Sequence, residues 1–363
     1  MYSPFRHIDS VFRKDRIIQL TFFLTRRCNL RCPFCFYVNG RNINNSDELS
    51  LDEIERFSRS MGDLLWLAFS GGEIYLRDDL VEISRVFYRN NRPAIMLFPT
   101  NGMLPGLIRE KTEEILRECR ESVIVLKLSL DGLNERHDEL RGRSGCFDNV
   151  ITTYRLLEGL IDRYPNFELG VNTVFCSKNQ DEMDGIIDFV SGLESVKTHT
   201  ISLVRGDIGD EGYKDVDHEK YRSAIERLGR DLNRPSNRYR FRGARIKAAQ
   251  DILQRRLIHR TATEKKRPIP CYAGRLNIVL TETGDVYPCE MIRESLGNIR
   301  DNGYDIGRVI RSDRAERIID SIKDNRCYCT HECYFMTNIL FNPLLYPALF
   351  KEYMGLILSP LHD

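Results

Sequence analysis

Six short runs of apolar and β-branched residues punctuate the first 210 positions, at 17–24, 64–69, 94–98, 123–130, 169–175 and 198–203. Each is nearly continuous rather than alternating, as in parallel strands covered on both faces. Between them, apolar residues recur at helical spacing over 51–61, 78–88, 106–118, 148–160 and 180–192. Asp148, followed by Val150, Ile151 and Tyr154, reads as the capped start of an amphipathic helix. This β–α repetition predicts an α/β fold with a parallel sheet, either an open doubly wound sheet or a partial barrel. In both, ligands sit at the C-terminal ends of the strands.

The pattern changes after 210. Residues 219–268 hold about 16 Lys/Arg against about 5 Asp/Glu, in two helical pieces broken near Arg234-Pro235-Ser236-Asn237. This stretch reads as a solvated helical connector or, alternatively, a docking face for an acidic or phosphorylated ligand. Residues 276–280, Thr281-Glu282-Thr283-Gly284 and 285–287 read as a hairpin with glycine at the turn. A helix near 313–323, a cysteine-rich knot at 327–333 and an apolar tail at 334–350 complete the chain. The expected divisions are 14–210, 211–268 and 269–363.

Composition narrows the class. The chain has 363 residues, 42% of them hydrophobic and 29% charged, so a disordered or fibrous protein is excluded. The net charge of +1 gives no sign of a nucleic-acid partner. The first strand begins near residue 17, so no fused N-terminal recognition domain is expected, and the residues before it lack the apolar core of a secretory signal. A cytoplasmic address is therefore expected, where thiols stay reduced. The 334–350 tail contains Pro343 and Pro347 and runs into Lys351 and Glu352. It is too short and broken for a transmembrane span of about 20 residues, and is expected to pack on the rest of the protein.

Eleven cysteines then stand out. Cys28-Asn29-Leu30-Arg31-Cys32-Pro33-Phe34-Cys35 follows the first strand directly. Three thiolates from one loop can hold three corners of an iron–sulfur cube and leave one iron open. A zinc site would call for a fourth Cys or His nearby, whereas the nearest histidines are His7 and His137.

Further motifs follow successive strands in order. They are Ser70-Gly71-Gly72-Glu73, Thr100-Asn101-Gly102, Ser129-Leu130-Asp131-Gly132, and Glu135-Arg136-His137-Asp138-Glu139-Leu140-Arg141-Gly142. With the cysteine triplet, this series resembles the radical S-adenosylmethionine (radical SAM) superfamily, in particular the branch that modifies peptides and proteins. The resemblance implies a partial (β/α)6 radical SAM barrel. It implies a [4Fe-4S] cluster on Cys28, Cys32 and Cys35, with S-adenosylmethionine (SAM) on the open iron. Phe34, Ser70, Gly71, Gly72, Glu73, Thr100, Asn101, Ser129, Asp131 and Arg141 are its implied SAM-side residues. Ser129 would face the ribose, and Arg141 would pair with the SAM carboxylate through its bidentate fork. Alternatively, Arg141 makes a surface ion pair with Asp138 or Glu139, Asn101 and Asp131 shape turns, and His137 serves packing or capping.

Cys271, Gly284 and Cys289, then Cys327, Cys329, His331 and Cys333, resemble a shortened form of the SPASM or twitch extension of that branch. This implies a small C-terminal domain with one auxiliary [4Fe-4S] cluster. Cys271, Cys289 and Cys333 are the expected ligands, with Cys327 and Cys329 competing for the fourth place and Cys329 preferred. A zinc site is the alternative. Glu290, beside Cys289, is a candidate general base, or simply an ion-paired carboxylate. Cys119, Cys146 and Cys176 are expected to pack in the core, with Cys146 also able to face substrate.

The resemblance implies an enzyme that reductively cleaves SAM to a 5′-deoxyadenosyl radical, which takes hydrogen from substrate. The expected substrate is a peptide or protein side chain, and the electron donor a separate flavodoxin or ferredoxin type protein. The alternatives are dehydrogenation of a small molecule, such as a sugar alcohol or cofactor precursor, and a non-catalytic metal-binding scaffold.

Overall fold

The computed structural model describes residues 2–37, 47–231, 243–324 and 327–358. Every run expected to be extended is a strand: β1 (Gln19–Thr25), β2 (Trp66–Gly71), β3 (Ile95–Thr100), β4 (Val123–Ser129), β5 (Phe167–Phe175) and β6 (Thr198–Leu203). They pair in chain order and all in parallel. The crossovers carry α1 (Leu51–Ser60), α2 (Leu80–Asn91), α3 (Pro105–Glu118), α4 (Glu135–Arg141), α5 (Cys146–Glu158) and α6 (Met183–Ser191). This is a partial (β/α)6 barrel. All seven residues of β1 are buried, and Phe22, Phe69, Phe87 and Phe98 interlock between strands and helices with ring centroids 5.1–6.5 Å apart. Each such side chain contributes roughly 1.5–3 kcal/mol through burial.

Helix α5 starts differently from the sequence expectation. It begins at Cys146, after Gly145 in a left-handed conformation (φ 80°), so Asp148 sits inside the first turn and is not the cap. The capping carboxylate is Asp138, from the middle of α4, which accepts from the backbone N–H groups of Gly145 at 2.5 Å and Phe147 at 2.9 Å. A cap supplied from another helix leaves no local sequence signature.

The basic segment supplies α7 (His218–Asp231) and α8 (Ala244–Glu264); the break expected near Arg234 lies outside the described residues. Helix α8 is not solvated all round. Ala248, Ala249, Asp251, Leu253, Gln254 and Ile258 are buried.

The expected hairpin is present as β7 (Asn277–Leu280) and β8 (Asp285–Tyr287), followed by a short β9 (Gly297–Asn298). It does not form a separate sheet. Strand β7 pairs in parallel with β1, from Gln19 opposite Asn277 to Phe22 opposite Leu280, giving one nine-stranded sheet in the order β6-β5-β4-β3-β2-β1-β7-β8-β9. Helices α9 (Ile306–Ile310), α10 (Asp313–Asp324), α11 (Glu332–Leu340) and α12 (Tyr346–Leu358) follow. A second tie between the halves runs through Glu53. It completes the capping box of α1 with Ser50 and also accepts from Arg300 at 2.7 Å and Tyr304 at 2.9 Å.

The apolar tail splits into two packed helices. Tyr334, Phe335, Met336 and Ile339 of α11 are buried, and Leu349, Tyr353 and Leu356 of α12 pack on Ala248, Ala249 and Ile252 of α8. No helix among the described residues is long and apolar enough to cross a membrane.

Candidate functional site

The cysteine loop leaves β1 at Thr25 and is clamped by the turn after β2. The N–H of Gly72 donates to the Thr25 carbonyl at 2.7 Å, and that of Glu73 to the Arg27 carbonyl at 2.8 Å. A Cβ on Gly71 would lie 2.5 Å from the Thr25 oxygen, and one on Gly72 2.1 Å from the Arg27 oxygen. The two glycines are thus required by backbone packed on backbone at the root of the cysteine loop. Glu73 turns inward and is buried. It accepts from Tyr75 N–H at 3.2 Å, Thr100 Oγ1 at 3.0 Å and Asn101 N–H at 2.8 Å. Burial still pushes its carboxyl up to about 7.

The next two motifs close on the same loop. Asn101 donates from Nδ2 to Asn29 Oδ1 at 2.7 Å and to Cys28 Sγ at 3.9 Å. Arg141 reaches inward from the last turn of α4, placing Nη2 2.5 Å from Asp131 Oδ2 and Nη1 3.8 Å from Cys32 Sγ. The surface pair with Asp138 or Glu139 is not formed: Asp138 caps α5 and Glu139 pairs with Arg136 at 2.7 Å. Asp131 also accepts from Val174 N–H at 2.7 Å, tying β4 to the end of β5. His137 is buried and accepts the Asp131 N–H on Nδ1 at 3.1 Å; burial holds it neutral, with its pKa down at about 3. Phe34 lies under the Arg141 guanidinium, 5.6 Å from ring centroid to Cζ.

Phe34, Ser70 and Ser129 open onto a cavity of about 320 Å³ that fills the barrel lumen. Its far wall is α8, whose Lys247, Asp251, Gln254, Arg255 and Ile258 share one helical face. Its roof is the C-terminal part of the chain, through Glu290, His331, Glu332 and Cys333. There His331 Nε2 lies 2.6 Å from Glu290 Oε2, and Arg205, just past β6, reaches Glu332 at 3.3 Å and Glu290 at 3.8 Å. All four groups are largely buried. Burial alone would raise Glu290, but His331 and Arg205 hold its carboxyl below the usual range. His331, disfavoured as a cation by burial and by Arg205, is nonetheless carried up to about 9 by Glu290.

The second cysteine group lies behind this roof. Cys271 is within electrostatic reach of Cys289, Cys327 and Cys329, and Cys329 of Cys289 and Cys327. Arg267 donates to Cys327 Sγ at 3.8 Å. Cys333 opens α11 and faces the cavity beside His331. Both groups fit iron–sulfur clusters chemically. Burial pushes the thiol of Cys28 up to about 11, and those of Cys289 and Cys329 to about 12. Such thiols become thiolates when metal supplies the missing positive charge. Donors from Asn101, Arg141 and Arg267 already point at the sulfurs.

The structure therefore brings Asn101, Asp131 and Arg141 against the first cysteine loop, where Phe34 lies under Arg141, sets Thr100 on Glu73, and opens Ser70 and Ser129 onto the cavity. It turns Glu73 into a structural hub. Cys119, Cys146 and Cys176 are buried. The sequence reading missed Arg205, Lys127, the pairing of His331 with Glu290 and the cavity face of α8. Lys127 had a visible signal, being the one charge in the apolar run of β4. The α8 face was masked by the surrounding basic residues.

Known proteins agree with this geometry. Residues 22–190 match the model of the radical SAM superfamily, and residues 271–334 match SPASM, an iron–sulfur cluster-binding domain. The AdoMet-dependent heme synthase of Methanosarcina barkeri is 27% identical over 77% of this chain and 79% of its own length. The subtilosin biosynthesis protein AlbA of Bacillus subtilis is 28% identical over 79% of this chain, which spans only 58% of AlbA. Among solved structures, SuiB of Streptococcus suis bound to S-adenosylmethionine aligns with a TM-score of 0.60 at 16% identity, covering 86% of this chain and 71% of SuiB. The protein anSMEcpe with bound AdoMet aligns at 0.58 and 18% identity, covering 94% and 98%. A radical SAM domain implies a [4Fe-4S] cluster and SAM, and a SPASM domain an auxiliary iron–sulfur cluster. The chain belongs to the radical SAM superfamily of enzymes and carries a SPASM domain.

Proposed function

We propose that this enzyme removes a hydrogen atom from a side chain of a peptide or protein bound in the barrel lumen. The observation that carries the reading is the single cavity running from the cysteine-loop side (Phe34, Ser70, Ser129) to the SPASM roof (Glu290, His331, Cys333). Cys28, Cys32 and Cys35 are the proposed ligands of the SAM-binding cluster, with Ser70, Asn101, Ser129 and Arg141 on the SAM side. Mutual proximity favours Cys271, Cys289, Cys327 and Cys329 for the auxiliary cluster, in place of the expected preference for Cys333. When bound, the cluster and SAM supply a 5′-deoxyadenosyl radical able to attack an unactivated C–H bond. The chain's own part is to hold the substrate, exclude water with α8 and the SPASM roof, and take up the proton released on oxidation. Glu290 is the proposed acceptor, kept ionised by His331 and Arg205.

Relatives named as modifying or maturing peptides, including the SkfB maturation protein of Bacillus subtilis, support this reading. The extent of the match to the heme synthase favours a second reading, oxidation of a cofactor-type small molecule. The test is anaerobic reconstitution, then reduction with dithionite in the presence of SAM. 5′-Deoxyadenosine is expected from the unmodified protein and not from Cys32→Ala. No product with both clusters loaded overturns the reading. Deuterium passing into 5′-deoxyadenosine from a labelled small molecule, and not from labelled peptide, moves it to the second.

A further inference from the structure

The inner end of the cavity carries chemistry that SAM cleavage does not use. In the sheet, Lys127 of β4, Gly170 of β5 and Thr198 of β6 lie in one row, and Ser129, Asn172 and Thr200 in the next row towards the strand ends. The two rows share a face, so the first lies about 6–7 Å deeper than Ser129. Gly170 has no room for a side chain. Its Cβ would lie 2.6 Å from Lys127 Nζ and 2.5 Å from Thr198 Oγ1. The ammonium of Lys127 is thereby laid across β5, donating to the Thr198 hydroxyl and carbonyl and to the Thr200 hydroxyl.

Facing this row from α8 is Arg255. Its Nη2 donates to the His199 carbonyl at 3.3 Å. Its Nη1 is buried and has no hydrogen-bond partner among the described residues, and the same holds for the hydroxyl of Tyr221, a fully buried residue of α7. Both residues line the cavity. Trp66 Nε1 and Arg205 Nε on the cavity wall also have no hydrogen-bond partner among the described residues, but Arg205 is held by Glu332 and Glu290, whereas Arg255 is within electrostatic reach of the Tyr221 hydroxyl. A buried donor without an acceptor is costly, so Arg255 and Tyr221 point to a ligand that accepts from both. Other groups near Lys127 are Asp251 and Lys247, which pair with each other, and Glu168 on β5. His199 is neutral, its pKa pushed down to about 3 by burial and by Lys127 and Arg255. Glu332 and Glu290 are engaged by Arg205 and His331. Burial pulls Lys127 down to about 7, so it is a full cation only below neutral pH; there three cations (Lys127, Lys247, Arg255) face two carboxylates (Asp251, Glu168), leaving at most one positive charge over.

We infer that Arg255 and Tyr221 form a subsite for a single carboxylate of the substrate, at the inner end of the cavity. The inference rests on the reading that this cavity receives substrate. A planar carboxylate matches the guanidinium fork, and one negative charge matches the local excess, where a phosphate dianion would exceed it. In a peptide the group is an acidic side chain or the C-terminus; in a small molecule, a carboxylic acid side arm. Anchoring it here leaves the atoms about 6–7 Å further out, level with Ser129, as those presented for hydrogen abstraction.

The test uses reconstituted full-length protein without reductant, so it is independent of SAM cleavage; failure to form 5′-deoxyadenosine would count against the proposed function instead. Calorimetric titration is made with 3-phenylpropionate, 3-phenylpropionamide and phenyl phosphate. The acid is expected to bind at least about tenfold more tightly than the amide and the phosphate. Arg255→Gln is expected to remove that preference and Arg255→Lys to restore part of it. Arg256→Gln, on the exposed side of α8, is expected to keep it. Equal binding of acid and amide, tighter binding of the phosphate, or no binding of the acid at millimolar concentration overturns the inference. The comparison of acid with amide needs no variant, so it holds even if Arg255→Gln fails to fold.

Discussion

The guanidinium of Arg141 stands 2.5 Å from the carboxylate of Asp131, and that carboxylate has no exposed side-chain surface. Arg141 therefore compensates a buried charge as well as standing beside Cys32. Burial pushes the Asp131 carboxyl up, and Arg141 opposes the shift. Removing one member of a buried pair is expected to cost about 3–5 kcal/mol. Arg141→Ala should lose about that much in urea unfolding of the reconstituted protein. Arg141→Ala with Asp131→Asn should recover part of it, and a double variant no more stable than the single one would contradict the pairing.

Gly72 makes a separate prediction. A methyl group there meets the Arg27 carbonyl oxygen, which cannot move without moving the cysteine loop. Gly72→Ala is expected to lower stability by about 1–3 kcal/mol and to reduce iron bound by the first cluster. Gly62→Ala, where a Cβ meets nothing within 4 Å, is the control.

Asp138 caps a helix that starts eight residues later. Asp138→Ala frees the N–H groups of Gly145 and Phe147 and is expected to cost about 1 kcal/mol. Asp148→Ala should cost less, because Asp148 makes no cap. Urea midpoints compare the two directly.

Glu53 links α1 to the SPASM side, and hydrogen bonding to Arg300 pulls its carboxyl down to about 2. The unfolded chain takes up this proton near pH 4.5, while the folded protein does so only near pH 2. The stability from Glu53 is therefore present above pH 4.5 and lost as pH falls towards 2. Glu53→Gln should be less stable than the unmodified protein at pH 6, and the gap should narrow between pH 4.5 and 3. A gap that stays constant would show that the charge of Glu53 contributes nothing.

Iron analysis checks the cysteine assignment. Two cubane clusters give about eight iron atoms per chain. Cys32→Ala and Cys271→Ala should each retain about four. Cys333→Ala should retain about eight, because Cys333 faces the cavity; a fall to four would return it to the ligand set.

The strands and the first cysteine loop were legible because each is local: an apolar run makes a strand, and three thiols fall within one loop. The C-terminal cysteines were legible as a group but not as ligands, since which thiols converge depends on how α11 is set against the hairpin. Asp138 as a cap, Arg205 on two carboxylates and Arg255 on the lumen all act between distant segments, and no spacing encodes them. The glycines after β2 were legible as a motif, but their packing on the backbone of Thr25 and Arg27 was not, because it joins two distant loops.

The pairing of β7 with β1 bears on how the protein is made. Strand β1 leaves the ribosome first, yet its second edge is filled by residues 277–280, after roughly two-thirds of the chain has followed. At about 5–20 residues per second this leaves an apolar edge open for tens of seconds. An unfilled edge of that kind templates aggregation. Chains truncated before β7 should accordingly accumulate as aggregates rather than as free barrels, and chaperone supply should raise the soluble yield.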